Sequence, residues 1–270
     1  MFTDRERCLY RKRQLVEVIC QLRFPTILSI SAREPAEFQE AIRGDFPQYK
    51  RNFDVPQPKL TGGPGNFRVE EGDKITNYQF LSADGKWKVN LTNSFVSLAT
   101  PAYTTWEDFA AKLDLVLAQF IPIYRPAYFE RVGLRFINVF SRKALDLEGV
   151  PFRELFQPAY LGPMAEEDVR EESFSMASQD FELAIAGGCR VKLHAGTGML
   201  QRKVVERNQV KVLQDSEVKF FLDNDVFMNS KLPVAQCAPA LQTVHIQADR
   251  LFAGAITDRL HEALEPEPLN

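Results

Sequence analysis

Two arginines flank a glycine in the segment 129–140, which reads FERVGLRFINVF. The segment has the apolar content of a β-strand, and strand side chains point alternately to opposite faces, so Arg131, Gly133 and Arg135 share one face. A guanidinium group binds phosphate or carboxylate through a planar fork of N–H donors, and a glycine lets a ligand approach the backbone closely. The pattern predicts an anion-binding or partner-binding site on this strand.

Two aspartates share one face of a second predicted strand, residues 217–227, which reads EVKFFLDNDVF. Carboxylates such as Asp223 and Asp225 can hold a divalent metal ion, although alternation in a half-exposed strand also explains them. In the nearby segment CRVKLH, Arg190, Lys192 and His194 share a face in the same way, and pairing with acidic strand faces accounts for them.

The sequence contains none of the common catalytic motifs. The three histidines, His194, His245 and His261, are far apart, and no HExxH, GxSxG, P-loop or strand–GxGxxG–helix pattern occurs. His245 follows the apolar stripe of a predicted helix, which favours a core or interface position over a metal ligand. The sequence therefore indicates no cofactor and favours a protein that is not an enzyme.

Composition and charge narrow the class of protein. The net charge is −3, which gives no argument for a nucleic-acid or membrane partner, and no apolar run approaches the roughly 18 residues that span a bilayer. The four cysteines form no CxxC pair, which predicts free thiols in a reducing compartment. The charged residues 1–14 do not resemble a secretory signal. We expect a cytoplasmic protein.

The first half of the chain alternates between strand and helix patterns. Its predicted elements are a strand at 15–24, a helix carrying Phe38, Ile42 and Phe46, a long loop at 47–74 with room for a short strand at FRVE, a hairpin of TNYQFLS and WKVNLTNSFVSLA joined by ADGK, a helix at 104–124 capped by Thr104 and Glu107, and the strand at 129–140. The order is βαββαβ, so residues 1–141 are predicted to form a ferredoxin-like half.

In this arrangement the first and fourth strands are neighbours, and Val132, Leu134 and Phe136 face the helices. The arginines of the fourth strand then lie on the opposite face, beside the polar side chains of the first strand and of the long third strand. The candidate residues on those two strands are Glu17 and Arg23 of the first strand and Lys88 of the third. Three interpretations of this polar face stay open: a solvated sheet face, packing against the second half of the chain, or an anion or partner site. RNA binding is not favoured, because base stacking needs exposed aromatic side chains that this face lacks.

Residues 142–270 read as an antiparallel β half that ends in a long helix, the two halves forming one compact unit of the α+β class with mainly antiparallel sheets. Two β-runs flank the turn AGG at 186–188, and further strands are predicted near 203–213 and at 217–227. From Ala240 to Leu264 the apolar residues recur at helical spacing. Leu251, Phe252 and Ile256 are the expected central anchors of this helix, which we expect to lie across the second-half sheet or between the halves and to supply a homodimer or partner contact.

Several segments together resemble a sporadically distributed, functionally unassigned family of bacterial and archaeal proteins. The resemblance runs from Leu15 to Leu264 and is carried by LVEVICQLRF, FQEAIRGDFPQY, FVSLATPAYTTWEDF, YFERVGLRFINVF, FFLDNDVF and ADRLFAGAITDRLHEAL. It assigns no role to Arg131, Gly133, Arg135 or Asn138. A patchy distribution implies horizontally transferred loci, including defence, toxin–antitoxin and CRISPR-accessory operons.

Two functional hypotheses follow. The first is a non-catalytic binding or regulatory accessory protein that acts through a protein partner or as a homo-oligomer, using the polar sheet face or the last helix. The alternative is an enzyme or sensor for a phosphorylated small molecule or nucleic acid, using Arg131 and Arg135 with Asp223 and Asp225.

Overall fold

The structure is a computed structural model that describes the chain except for residues 1, 4, 55–58, 62–67, 71–73, 175, 207–208 and 270. For residues 59–61, 68–70, 201–206 and 209–214 only the backbone is described. The helices are α1 Leu28–Ala32, α2 Ala36–Ile42, α3 Trp106–Tyr124, α4 Cys237–Ala253 and α5 Asp258–Ala263. The strands are β1 Cys8–Tyr10, β2 Leu15–Arg23, β3 Gln48–Asp54, β4 Lys59–Thr61, β5 Arg68–Glu70, β6 Ile75–Leu81, β7 Lys88–Leu91, β8 Phe95–Thr100, β9 Phe129–Phe140, β10 Ala177–Ala184, β11 Arg190–Gly198, β12 Gln201–Glu206, β13 Gln209–Gln214, β14 Lys219–Leu232 and β15 Pro266–Pro268.

Short 3-10 helices connect several of these elements, at Lys143–Leu145, Phe152–Glu154, Pro158–Tyr160, Gly162–Ala165, Glu171–Ser173, Ala186–Gly188 and Val234–Gln236. The fold is α+β with mainly antiparallel sheets, as the sequence predicts.

The chain divides into two compact units that are discontinuous in sequence. The first unit comprises Met1–Val18, Gly133–Asn229 and Ala238–Asn270, and the second comprises Ile19–Val132 and Ser230–Cys237. Strands β2, β9 and β14 contribute residues to both units.

The second unit contains strands in the order β2–β8–β7–β6–β3. The predicted stripes form its core: Phe38, Ile42 and Phe46 are buried, as are Trp106, Phe109, Leu113, Leu117 and Phe120 of α3. The Phe38 ring packs edge-on against Phe80 at 5.5 Å between centroids. Apolar burial on one face of each element, rather than intrinsic propensity, therefore stabilises these helices against the sheet.

The simple βαββαβ order is not reproduced, because residues 15–140 contain more strands than predicted. β3 lies where a loop was expected, and all seven of its side chains are exposed. A strand without a buried face shows no alternation in sequence. β3 is held instead by its register with β6 and by contacts such as the 2.7 Å hydrogen bond from Asn52 to Gln79. Within the predicted loop at 47–74, residues 55–58, 62–67 and 71–73 lie outside the described residues, and FRVE contains β5.

The predicted long third strand is two strands, β7 and β8, that pair with each other. Thr92 causes the break, because its hydroxyl accepts hydrogen bonds from the backbone N–H groups of Ser94 at 3.2 Å and Phe95 at 3.1 Å. A hydroxyl that bonds its own backbone competes with the strand ladder. The N-cap of α3 also differs from the prediction. Thr105, rather than Thr104, caps the helix, and its hydroxyl accepts a hydrogen bond from the backbone N–H of Asp108 at 3.1 Å.

The first unit contains strands in the order β10–β11–β14–β9–β2. Hairpin β10–β11 forms around residues 186–188 as predicted, with Ala184 opposite Arg190. The core is aromatic, and the rings of Phe156 and Phe220 stack at 4.0 Å between centroids. On β9 the predicted inward residues Val132 and Leu134 are buried and Phe136 is half-buried. On β2 the apolar residue Val16 is 48% exposed, although it alternates in step with the buried Val18, Cys20 and Leu22.

The predicted long C-terminal helix is two helices, α4 and α5. The backbone leaves the helix after Ala253, and Ala255 and Thr257 bond the segment 155–157 through N–H···O contacts of 2.9 Å, with a β-bridge between Phe156 and Ile256. Thr257 then caps α5. Gly254 and the Thr-Asp pair are helix stop and start signals that the apolar periodicity masks.

Candidate binding site on the charged strand face

A charged surface covers one face of the first unit's sheet. The apolar residues Val191, Leu193 and Ala195 of β11 are buried, so strand alternation turns Lys192 and His194 to the opposite, exposed side. The same rule turns out Asp180 and Glu182 of β10, and Asp223 and Asp225 of β14. We define the charged strand face as these six residues together with Arg135 of β9.

The register arranges these charges in rows across the strands. Asp180 lies opposite His194, which lies opposite Asp223. One step along, Glu182 lies opposite Lys192, which lies opposite Asp225. Side chains directly opposite in antiparallel strands are neighbours, and unlike charges there stabilise the pairing. The basic strand β11 is therefore flanked on both sides by acidic strands.

Arg135 extends the first row through a two-pronged ion pair. Its Nε lies 2.8 Å from Oδ1 of Asp223 and its Nη2 lies 2.5 Å from Oδ2. The hydrogen bonds that Arg135 donates to Asp223 raise the pKa of Arg135, partial burial opposes this effect, and the charges of Asp223, Asp225 and Glu17 add to it. The guanidinium fork is thus filled by a carboxylate of the same chain.

On the outer strand, Glu182 is paired with the cations of β11. Arg190 Nε donates to its carboxylate at 2.9 Å, and Lys192 Nζ lies at 3.5 Å. These contacts, Arg190 first, hold the pKa of Glu182 below its ordinary value. His194 Nδ1 lies 2.9 Å from Asp180 Oδ1. The sequence suggested that acidic strand faces balance Arg190, Lys192 and His194, and these contacts confirm it.

The charged strand face lines an open cavity of about 450 Å³. Its side chains remain accessible: Lys192 is 62% exposed, and Arg135 and His194 are each 46% exposed. Such a concave polar surface can form several directional hydrogen bonds and ion pairs at once. Within the part of the chain that the structure describes, no group of three or more His, Cys, Asp or Glu side chains is arranged to hold a metal ion.

The sequence-predicted candidates are only partly brought together. Arg135, Asp223, Asp225 and Glu17 meet in the first unit. Arg131, Arg23 and Lys88 belong to the second unit, Arg23 at the end of β2 and Lys88 at the start of β7.

Gly133 is buried in the first unit. Its backbone therefore offers no open surface to a ligand, which favours packing as the reason for this glycine.

Two of the three anchors predicted on the C-terminal helix, Leu251 and Ile256, lie in the interior of the first unit, and the third, Phe252, is half-buried. Leu251 and Ile256 are buried, and Ile256 lies beyond the end of α4. Phe252 is half-buried against the rings of Tyr10 and Phe140, at 5.8 and 6.4 Å between centroids. A role as interface anchors requires exposed surface, which Leu251 and Ile256 do not have. Their prediction as an interface is corrected accordingly.

Asp180 and Glu182 were missed as site residues from the sequence. Their segment, DFEL at 180–183, alternates polar and apolar residues and predicts the strand, but nothing in the local sequence indicates which strand lies beside it. Their importance comes from the register with β11.

Comparison with known proteins adds no assignment. No protein-family model matches the chain, and no curated protein matches it. In the described parts of the chain, no helix combines the length and the apolar character needed to cross a membrane.

Proposed function

We propose that the protein is a non-catalytic binding protein that recognises a partner protein through the charged strand face. The observation that carries the proposal is the register, which sets residues of opposite charge side by side across β10, β11, β14 and β9. A patterned surface of both signs discriminates between protein partners, because a mismatched partner places like charges together.

The balance of charge favours a basic protein surface as the partner. The face carries four carboxylates, Asp180, Glu182, Asp223 and Asp225, against the permanent cations Arg135 and Lys192. A phosphate group would have to displace Asp223 from Arg135 and would lie among the remaining carboxylates. This arrangement opposes a phosphorylated small molecule or nucleic acid and supports the binding role over the alternative of an enzyme or sensor.

The resemblance noted in the sequence fits an accessory role. A regulatory subunit within a mobile defence, toxin–antitoxin or CRISPR-associated locus needs a specific surface for its partner and no catalytic group of its own. The partner is a different protein or a second copy of this chain.

A charge swap tests the proposal without removing the ion pair. The double variant Arg135→Asp with Asp223→Arg keeps both charges adjacent but inverts their positions on the face. The exposed pair Asp84 and Lys86, 3.9 Å apart in the β6–β7 turn, offers the matched control when swapped in the same way. Each protein is purified from cells of the source organism at low and high salt, with the copurifying proteins quantified and the mass measured by light scattering.

We expect wild type and control to retain one stoichiometric partner, or to form a homo-oligomer, and the Arg135/Asp223 swap to lose it at least tenfold. Equal retention by the swap would reject the charged strand face as the contact. A stoichiometric nucleotide, phosphorylated metabolite or metal in place of a protein would favour the enzyme or sensor.

A further inference from the structure

Strand β10 is the terminal strand of the first unit's sheet. It pairs with β11 along its whole length, Ala177–Ala184, and the strand order ends there. Among the described residues, no backbone hydrogen bond outside that ladder reaches residues 177–184. An open edge of this length can serve as a template to which another extended chain adds as a strand.

The backbone groups at the open edge belong to the acidic residues of β10. The N–H of Ile185 donates to the carbonyl oxygen of Cys189 at 2.8 Å. In an antiparallel ladder such hydrogen-bonded pairs alternate with pairs whose N–H and C=O groups point away from the partner strand. Counted back from Ile185, Leu183 bonds β11, whereas Glu182 and Asp180 direct their N–H and C=O groups to the open edge.

The charges alternate in sign from strand to strand and end on an acidic strand. In both rows of the charged strand face, β14 is acidic, β11 is basic and β10 is acidic. The side chain of Asp180 is 75% exposed and that of Glu182 is 37% exposed. An added strand with basic side chains two residues apart would continue both rows, because unlike charges directly opposite stabilise strand pairing.

The other face of β10 leaves apolar surface at the same edge. Phe181 and Leu183 are half-buried, although Leu193 and Val191, which lie opposite them on β11, are buried. The apolar side chains of an added strand would lie on this face and cover both residues. The edge therefore fits a segment in which basic and apolar residues alternate.

The same charges oppose pairing with the β10 strand of a second copy. If two β10 strands paired antiparallel with their charged faces on the same side, every well-overlapped register would bring carboxylates together, either Asp180 against Glu182 or one of them against itself. Like charges directly opposite destabilise strand pairing, and charged edges are a common protection against self-association. The edge thus selects a different chain.

We propose that the partner protein adds an extended segment to β10 as a further antiparallel strand, with lysine or arginine opposite Asp180 and Glu182 and apolar residues between them. This inference rests on the proposed function, because it names the part of the partner that the charged strand face recognises. Backbone hydrogen bonds along β10 supply affinity, and the alternating side chains supply specificity.

The first test measures binding of synthetic peptides to the full chain by fluorescence anisotropy. The probe is a labelled peptide as long as β10 in which lysine and valine alternate, and the reference peptide has the same composition in two blocks. We expect the alternating peptide to bind at least tenfold more tightly, because only its lysines all lie on one face of a strand.

A pair of protein variants tests the assigned carboxylates. Asp180→Asn with Glu182→Gln should weaken binding of the alternating peptide at least tenfold and reduce its dependence on salt. Asp146→Asn with Glu148→Gln removes the same two charges at the same spacing from an exposed segment of the first unit, and this control should bind as wild type does. Equal binding by the two variants would overturn the proposal, as would an alternating peptide that binds no better than the blocked one.

Backbone methylation of the peptide separates strand addition from simple charge attraction. In the proposed pairing the lysine N–H groups point to β10 and the valine N–H groups point away. N-methylation at lysine should therefore weaken binding at least tenfold, and N-methylation at valine should leave it nearly unchanged. Equal binding of the two methylated peptides would overturn strand addition and leave the proposed function standing, whereas a partner retained by the Arg135/Asp223 swap would reject the charged strand face itself.

Discussion

The ion pair between Arg135 and Asp223 is the contact on which the functional argument depends, and its strength can be measured. Arg135 is 46% exposed and Asp223 17% exposed. Fully exposed pairs contribute about 0.2–1 kcal/mol, whereas breaking a buried pair costs roughly 3–5 kcal/mol. The bidentate geometry, with one hydrogen bond to each carboxylate oxygen, strengthens the ion pair. Solvent screening at the exposed part of Arg135 weakens it. We expect a coupling energy of about 1 kcal/mol, at the upper end of the exposed range.

The assay is a double-mutant cycle of wild type, Arg135→Gln, Asp223→Asn and the double variant, unfolded in urea. Far-UV circular dichroism should follow unfolding, because both tryptophans, Trp87 and Trp106, belong to the second unit and report on that unit alone. The cycle is repeated in 1 M salt, where the Debye length falls to about 3 Å. The coupling should fall by about half under that screening.

A coupling below about 0.3 kcal/mol, within the usual error of additivity, would refute the reasoning. The guanidinium of Arg135 would then be energetically free to bind an anion, and the main argument against a phosphorylated ligand would fail. A coupling near about 3 kcal/mol, typical of a buried pair, would also be informative, since it would mean that the face is covered in solution.

Four other perturbations test the fold and its pH dependence. Trp106→Ala should cost about 3–5 kcal/mol, because the ring is 7% exposed in the second unit, and a loss below about 1 kcal/mol in urea unfolding would contradict the assigned packing. Phe252→Asp places a charge among aromatic rings and should cause aggregation seen by size exclusion; a soluble, unchanged variant would contradict this. His261 should make the chain less stable as pH falls below its ordinary pKa of 6.5, because the unfolded chain takes up the proton first, and His261→Gln should flatten that dependence between about pH 7 and 5.5. Gly187→Ala and Gly188→Ala should both destabilise, since both have positive φ, with the larger loss at Gly187, where an added Cβ would lie 2.8 Å from a neighbouring side chain; equal losses would contradict the crowding.

Elements with one buried face could be predicted from the sequence, and elements without one could not. Helix α3 and strand β2 bury an apolar stripe, and period alone indicates both. β3 has no buried side, so its formation depends on backbone pairing with β6, which leaves no trace in local composition.

Breaks inside apolar runs were the second source of error. The runs 87–99 and 240–264 keep their periodicity across Thr92 and Gly254, so pattern matching extends each element too far. A hydroxyl that caps the backbone at Thr92 and the bridge from Ile256 to Phe156 decide the structure there. Both features depend on hydrogen bonds of a hydroxyl or of the backbone, whereas periodicity describes only the spacing of apolar side chains.

The candidate site also could not be predicted from periodicity, because it depends on which strands are neighbours and on their register. Alternation fixes which face Asp223 or Lys192 occupies, but pairing Arg135 with Asp223 joins residues 88 positions apart. A slip of one residue would turn the charges of β11 into the core, so burial of Val191 and Leu193 excludes it. A register shift of two residues would leave each side chain on the same face of the sheet, but it would change which charged residues lie opposite one another.

The turn at 186–188 excludes a register shift of two residues between β10 and β11. Ala184 pairs with Arg190 across it, and Gly187 and Gly188 both have positive φ, which most other residues adopt only with strain. Gly187 also leaves no room for a side chain beside Thr243. The glycines thereby fix how many residues separate β10 from β11, and that number puts Asp180 beside His194 and Glu182 beside Lys192. A turn with no charge of its own thus determines which charges meet on the binding face.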